Sequence, residues 1–189
     1  MKTIDARFDE TMISCLKSII GQTLTKYKCD PFVFSQAVFG IVGIYTEQGC
    51  YALTNEIETL DHFGADEDVA VFRFKTSQDS EIHSLLDGIS MVETPVGRKI
   101  KEIRIVNENQ RLFKNNEQTY DVWVTRGIII ILEDDREISF EKQVWFSEMI
   151  SVNRGENLIE QFTSASDFIE DWEVPYRAEC ERKTIILKH

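Results

Sequence analysis

Residues 128–132 form an uninterrupted apolar run, Ile-Ile-Ile-Ile-Leu, and this run constrains the fold more than any other feature of the sequence. Side chains alternate between the two faces of a strand, so a strand that is apolar at every position is buried on both faces. The run is far shorter than the ~20 residues of a bilayer-spanning helix. We therefore predict a central strand inside a sheet and no membrane span.

Period-two alternation with β-branched and aromatic residues extends over residues 23–152 and predicts further strands. Turn residues separate them at 47–49, 126–127 and 134–136, Pro95 and Gly97 indicate a loop, and residues 64–68 form an acidic connection. The predicted strands are 24–28, 33–45, 50–57, 69–75, 103–107, 112–114, 120–125, 128–133, 137–140 and 143–152, with a last strand at 178–187.

Helical spacing of apolar residues appears in three places. It predicts an N-terminal helix over 8–20, a short helix over 79–87 and a C-terminal helix over 158–172, in which Thr163 and Ser164 allow a break. The expected fold is a single α+β domain over residues 1–189, with mostly antiparallel sheet and the first and last helices packed on it.

An internal similarity relates residues 45–56 to residues 124–135. Each segment contains a strand, a turn with Thr and Gly, a second strand and an acidic corner. This pattern suggests two related β-meander halves, roughly 23–76 and 100–152. The alternative is that hairpins resemble each other because they share turn chemistry.

The charge balance narrows the class of partner. The formal net charge is −12, from 33 acidic and 21 basic residues. Nucleic-acid binding requires clustered Lys and Arg, so we expect no nucleic-acid partner. Residues 53–68 contain six acids and no Lys or Arg, whereas residues 98–114 contain six basic residues and two acids. An acidic surface speeds encounter with a basic protein, which is the partner we expect.

No motif for catalysis, a cofactor or a metal is found in the sequence. Neither phosphate-binding glycine loops nor zinc spacings occur, and the histidines are only three. His83 and Asp87 are spaced for one helix face, and Glu58, Asp61 and His62 offer oxygen and nitrogen ligands, but solvated side chains explain both groups more simply. We assign no catalytic, cofactor-binding or metal-binding residue.

The compartment is inferred from the terminus and the cysteines. The first ten residues contain three acids and no apolar segment, which is unlike a secretory signal. The four cysteines are not closely spaced, and no N-glycosylation sequon occurs. A cytoplasmic location is expected, with the cysteines buried as small hydrophobic residues.

The sequence predicts only the general class of function, such as a binding protein or an enzyme. The first hypothesis is a non-catalytic protein-binding or regulatory module, whose contact residues are Asp66, Glu67, Asp68 and the aromatic anchor Trp123. The alternative is a small-molecule-binding protein or hydrolase with a pocket between the two β-halves. A third hypothesis is a module that forms homodimers through an exposed edge strand.

Overall fold

A computed structural model describes residues 1–33 and 35–189. Residue 34, which falls within the strand predicted over 33–45, lies outside the described residues. The helices are α1 (Glu10–Ser18) and α2 (Ser166–Glu170), with 3-10 turns at Asp79–Glu81 and Leu158–Gln161. The strands are β1 (Lys2–Ala6), β2 (Thr23–Cys29), β3 (Ala37–Phe39), β4 (Ile41–Thr46), β5 (Cys50–His62), β6 (Ala65–Ser77), β7 (Val92–Lys114), β8 (Glu117–Leu132), β9 (Glu137–Lys142), β10 (Met149–Gly155) and β11 (Tyr176–Leu187).

The strands form one eleven-stranded sheet in the order β3-β10-β9-β8-β7-β2-β4-β5-β6, with β1 beside β8 and β11 beside β7. All pairs are antiparallel except β1 with β8. The predicted mostly antiparallel sheet is confirmed, and the two helices are consistent with the α+β class. Neither α1 nor α2 has the length and apolar character needed to cross a membrane.

Strand β7 connects the two parts of the sheet because it is 23 residues long. Its first part pairs with β2, and its second part lies between β8 and β11. The loop predicted at Pro95 and Gly97 is therefore wrong. Pro95 pairs with Lys26 next to a register shift in β2, and bulges are where a sheet tolerates a residue without an N–H.

The apolar run 128–132 is buried on both faces, as predicted. Ile128 and Ile130 belong to the main core, which also receives Leu16 from α1 and Ile19 just after it. Ile129 and Ile131 belong to a second cluster with Val106 and Phe162. Full burial of an Ile side chain contributes about 1.5–3 kcal/mol, so this strand is a main source of stability.

Helix α1 begins at a side-chain cap and ends near a glycine. Asp9 Oδ1 accepts a hydrogen bond of 2.8 Å from the backbone N–H of Met12, which satisfies one of the unpaired donors of the first turn. Gly21, three residues past the helix, has φ +85, a conformation that costs glycine little.

The predicted turn at residues 126–127 is wrong, because β8 continues through it. Val106 pairs with Gly127 and Asn107 pairs with Thr125, so Arg126 is an extra, bulged residue. A Cβ on Gly127 would collide with the carbonyl oxygen of Phe140, which explains the glycine. Residues 47–49, in contrast, do form the predicted turn between β4 and β5. The proposed duplication of the two hairpins stays a prediction.

Other boundaries also differ from the sequence predictions. The helix predicted over 79–87 is only the turn Asp79–Glu81, and the helix predicted over 158–172 is divided into the turn Leu158–Gln161 and α2, with the break near Thr163. The predicted acidic connection at 64–68 is mostly part of β6. Residues 143–148 form a loop rather than the start of a strand, and this loop contributes to the site described next.

Candidate functional site

A cavity of about 240 Å³ lies between the end of β5, the strands β7 and β8, the 143–148 loop and the segment around α2. Its aromatic lining residues are His62, Trp145, Phe146, Phe168 and Trp172. The His62 ring contacts the Trp145 ring at 5.3 Å and the Phe146 ring at 4.9 Å between centroids. We call this space the aromatic cavity.

The tip of the β5–β6 hairpin supports one side of the aromatic cavity. Its turn is Phe63-Gly64, and Phe63 has φ 54, which is uncommon for a bulky residue. The Phe63 ring lies 5.3 Å from both the Phe168 ring and the Trp172 ring. Aromatic pairs contribute about 0.5–1.5 kcal/mol each beyond their burial, so these contacts can hold the turn in its left-handed conformation.

Buried charged groups form another side of the aromatic cavity. Glu108 on β7 accepts hydrogen bonds from Arg182 on β11, at 2.6 Å from Nη2. The same Nη2 donates to the carbonyl of Thr163 at 2.6 Å, and Glu108 also accepts from Gln110 Nε2 at 3.2 Å. Gln110 Oε1 in turn accepts from Trp145 Nε1 at 3.0 Å. This chain of hydrogen bonds fixes the Trp145 ring in the wall of the aromatic cavity.

The bulge in β8 directs Arg126 into the same region, as bulges often re-aim a side chain. Arg126 Nε lies 3.3 Å from Glu141 Oε1, and its Nη2 donates to the carbonyl of Gln143. Glu141 Oε1 also accepts from the backbone N–H of Thr163 at 2.8 Å. Arg126 and Glu141 are both almost completely buried, and they anchor the segment that leads into α2.

Lys142 is the least expected member of this cluster, because its side chain is only 1% exposed. It shares a face of β9 with Ile138 and Phe140, and its Nζ lies 4.0 Å from the centre of the Trp145 ring. Within the described chain, no carboxylate lies within 4.0 Å of Nζ. Burial, with a further contribution from Arg126, lowers the pKa of Lys142 to about 7, although Glu108 opposes the shift.

Two lining groups carry buried polar atoms without a hydrogen-bond partner among the residues described: Nε2 of His62 and Nε1 of Trp172. Burial, followed by the charge of Lys142, lowers the pKa of His62, so its imidazole is neutral near pH 7. Leaving a buried donor or acceptor unsatisfied costs about 1–3 kcal/mol, and a ligand in the aromatic cavity can satisfy these atoms if the two rings shift slightly toward it.

The predicted contact residues Asp66, Glu67 and Asp68 lie at the start of β6 and are exposed. Alternation divides them between the two faces of the hairpin. Glu67 pairs with Leu60 and so shares the face of His62, whereas Asp66 and Asp68 lie on the other face with Asp61. Of the three, Glu67 acts electrostatically on His62, and the three acids do not form one flat acidic surface.

Trp123 lies elsewhere, because it points away from the face of its buried neighbours Val122 and Val124. Its half-buried ring is close to two cations, at 4.5 Å from Arg7 Cζ and 5.0 Å from Lys183 Nζ. The structure does not bring Trp123 together with the acidic residues 66–68, since Val122 and not Trp123 faces the side of Leu60 and His62. Its role as a partner anchor stays a prediction.

The other groups considered from the sequence are also separated. His83 and Asp87 lie in a loop and not on a helix. Glu58 pairs with Arg73, and Asp61 pairs with Lys2. No three His, Cys, Asp or Glu side chains in residues 1–33 and 35–189 are grouped closely enough to hold a metal ion. Of the four cysteines expected to be buried, Cys29 is buried, whereas Cys15, Cys50 and Cys180 are partly exposed. Partial burial raises the pKa of the Cys15 thiol.

Sequence reasoning missed the main polar residues of the site, namely Glu108, Arg126, Glu141, Lys142 and Arg182. One signal was present: residues 107–111, Asn-Glu-Asn-Gln-Arg, are polar at every position between two strand-like segments. A strand that is polar on both faces requires partners on both faces, so such a run indicates a buried polar network when it lies in the middle of a sheet. Comparisons of the chain with protein-family models, curated proteins and solved structures find no match.

Proposed function

We propose that this protein binds a small organic molecule containing a ring, and that the aromatic cavity is its binding site. The observation that carries the proposal is that one partly open cavity has aromatic walls and is lined by two residues with buried polar atoms that lack partners among the described residues. Ligand sites are typically apolar cavities with a few polar groups that fix orientation. This supports the small-molecule hypothesis derived from the sequence, here as binding without a catalytic step.

The volume limits the size of the ligand. An apolar protein cavity of roughly 150 Å³ can hold benzene, whereas drug-sized ligands occupy roughly 300–1,000 Å³. At about 240 Å³, the aromatic cavity fits one substituted ring. His62 comes from the first of the two predicted halves and Trp145 from the second, which supports a pocket between them.

Benzamide, a neutral single ring with a polar group, is a suitable first probe. We expect it to shift the indole N–H signals of Trp145 and Trp172 in proton–nitrogen NMR spectra, because both rings line the aromatic cavity. The signal of Trp123, outside the cavity, is the internal reference. Ala165→Phe, which fills the cavity, should abolish the shifts, whereas the matched change Ala37→Phe on β3 should preserve them. Unchanged Trp145 and Trp172 signals would count against the proposal.

A second candidate function is the binding of a basic protein partner by the acidic hairpin tip. The supporting observation is that Asp66, Glu67 and Asp68 are exposed and form no ion pair with any described residue. Long-range attraction of this kind weakens as salt screens it.

Octalysine is the probe for this second function. Asp66→Asn/Glu67→Gln/Asp68→Asn should weaken its binding at low ionic strength about tenfold. The control Glu47→Gln/Asp87→Asn/Glu156→Gln removes the same charge from exposed acids elsewhere and should have a smaller effect. Equal losses in both variants, or binding insensitive to salt, would contradict specific binding at the hairpin tip.

A further inference from the structure

Three hydrogen-bonding groups without a complete set of partners line the aromatic cavity. Arg126 uses Nε and Nη2, but its Nη1 has no hydrogen-bond partner among the described residues. Trp172 Nε1 can only donate, and neutral His62 can donate from Nε2 in one tautomer. All three residues line the aromatic cavity, but Trp172 Nε1 and His62 Nε2 are themselves fully buried, so a ligand group bound to Arg126 reaches them only when the two rings shift slightly. The set is rich in donors and therefore complements an acceptor.

The charges of the surrounding residues also favour a ligand that carries negative charge. Arg126, Lys142 and Arg182 are cations, whereas Glu108 and Glu141 are the carboxylates that pair with the two arginines. Lys142 remains without a counter-ion in the part of the chain that is described. The cluster is thus one positive charge in excess when Lys142 is protonated. Buried charges are normally paired, so a negative ligand would complete the cluster.

We infer that the ligand is a ring-containing organic anion, a carboxylate in the simplest case, whose charged group binds at Arg126, Trp172 and His62 while its ring packs between Trp145 and Phe168. This inference rests on the proposed binding function and specifies its ligand class. Lys142 does not line the aromatic cavity, but it packs on Trp145 and attracts the anion through a medium of low dielectric.

Asp167 and Asp171 also line the aromatic cavity and carry negative charge. Both are exposed, so water and salt screen their repulsion, whereas Arg126 and Lys142 are buried and act at a lower effective dielectric constant. The buried cations therefore dominate over the rim carboxylates. Asp167→Asn/Asp171→Asn should strengthen anion binding a few-fold at low salt.

The test compares benzoate, benzamide and benzylammonium, which share a ring and differ in charge. At about pH 6, where Lys142 is mostly protonated, benzoate should bind at least about tenfold more tightly than benzamide. It should also move the indole N–H signal of Trp172 the most, because that donor gains its missing acceptor. Benzylammonium should bind most weakly.

Lys142→Met tests the contribution of the buried amine. The variant should reduce benzoate affinity about tenfold more than benzamide affinity, since both probes place the same ring against Trp145 and only benzoate carries the charge. Lys183→Met is the matched control, because it removes one exposed lysine that packs on Trp123 outside the aromatic cavity. It should change neither affinity.

The pH dependence of benzoate affinity distinguishes the contribution of Lys142 from the contributions of neighbouring ionisable groups. The charges of Arg126 on β8 and Glu108 on β7 act on Lys142, whose own charge acts on His62 on β5. The pKa of Lys142 is about 7, and the pKa of His62 is lowered. Benzoate affinity should fall above pH 7 by about tenfold in total, the same loss as for Lys142→Met, because deprotonation removes the same charge. Benzamide affinity should stay constant there, and Lys142→Met should remove the benzoate slope.

The outcomes distinguish a failure of the anion inference from a failure of the proposed binding function. If benzamide binds and benzoate binds no more tightly, the anion inference is wrong and the proposed binding function stands. Tightest binding of benzylammonium has the same meaning. If none of the three probes shifts Trp145 or Trp172, both the ligand class and the proposed function are wrong.

Discussion

The Nζ atom of Lys142 lies 4.0 Å from the centre of the Trp145 ring, so a buried ammonium group packs against a wall of the aromatic cavity. Trp145 is held in place by its hydrogen bond to Gln110, which also bonds to Glu108. A cation–π contact contributes up to about 2 kcal/mol when desolvated, less than the several kcal/mol that burial of an ion costs. Lys142 is therefore a net cost to folding when it is protonated.

Lys142→Met should stabilise the protein near neutral pH. The folded-state pKa of about 7 is below the unfolded value of 10.5, so the destabilising contribution is fully present below pH 7 and disappears above about 10.5. In the unmodified protein, the unfolding free energy should rise by up to about 1.4 kcal/mol per pH unit between these limits. The variant should lack this rise. Urea unfolding at several pH values measures it, and identical pH slopes in both proteins would contradict the assignment.

The packing of the Phe63 ring should contribute more to the unfolding free energy than its left-handed backbone conformation costs. Phe63→Asn relieves the left-handed conformation, which Asn adopts readily, but loses the contacts to Phe168 and Trp172. We expect a net loss of about 1–3 kcal/mol in unfolding free energy and weaker benzamide binding. Asn116→Gly, at another left-handed turn position, is the control and should change stability little. A stabilised Phe63→Asn would mean that strain outweighs packing.

The Arg182–Glu108 pair should be strongly coupled. Glu108 has a side-chain exposure of 4%, so Arg182→Met leaves a buried carboxylate without its main partner and should cost about 2–4 kcal/mol. Adding Glu108→Gln should recover part of this loss, because the unpaired charge is removed. Denaturant unfolding of the two single variants and the double variant gives the coupling energy. Simple additivity would contradict the role of the pair.

The cysteine thiols should react slowly in the folded protein. Burial raises the pKa of Cys29 to about 11 and that of Cys180 to about 12, and it also raises the pKa values of Cys15 and Cys50. At about pH 8, roughly one thousandth of Cys29 is then thiolate, the reactive form. Iodoacetamide should label the unfolded chain far faster than the native protein, as followed by mass spectrometry. Rapid labelling of native Cys29 would contradict its burial.

Local alternation was sufficient to predict that the chain forms mostly β-sheet, although not where each strand begins and ends. The run 128–132 is buried on both faces, and the break in the last helix falls near Thr163. These features follow from the side chains of neighbouring residues, which decide whether a segment is strand or helix. The turn expected at residues 126–127 was wrong because an Arg-Gly pair is compatible with both a turn and a bulge, and pairing with β7 and β9 decides between them.

The sequence by itself determined that this chain forms a mostly antiparallel sheet with a fully buried strand at 128–132, since the period of the side chains is a local property. Only the tertiary structure decided that Arg126 and Lys142 are buried beside Trp145, and that His62 and Trp172 meet across one cavity. Burial of a charged side chain depends on which distant strands and loops cover it, and a Lys or Arg in an exposed strand has the same local sequence pattern. The site therefore arises from strand register and packing, which join residues as distant in the chain as His62 and Trp172.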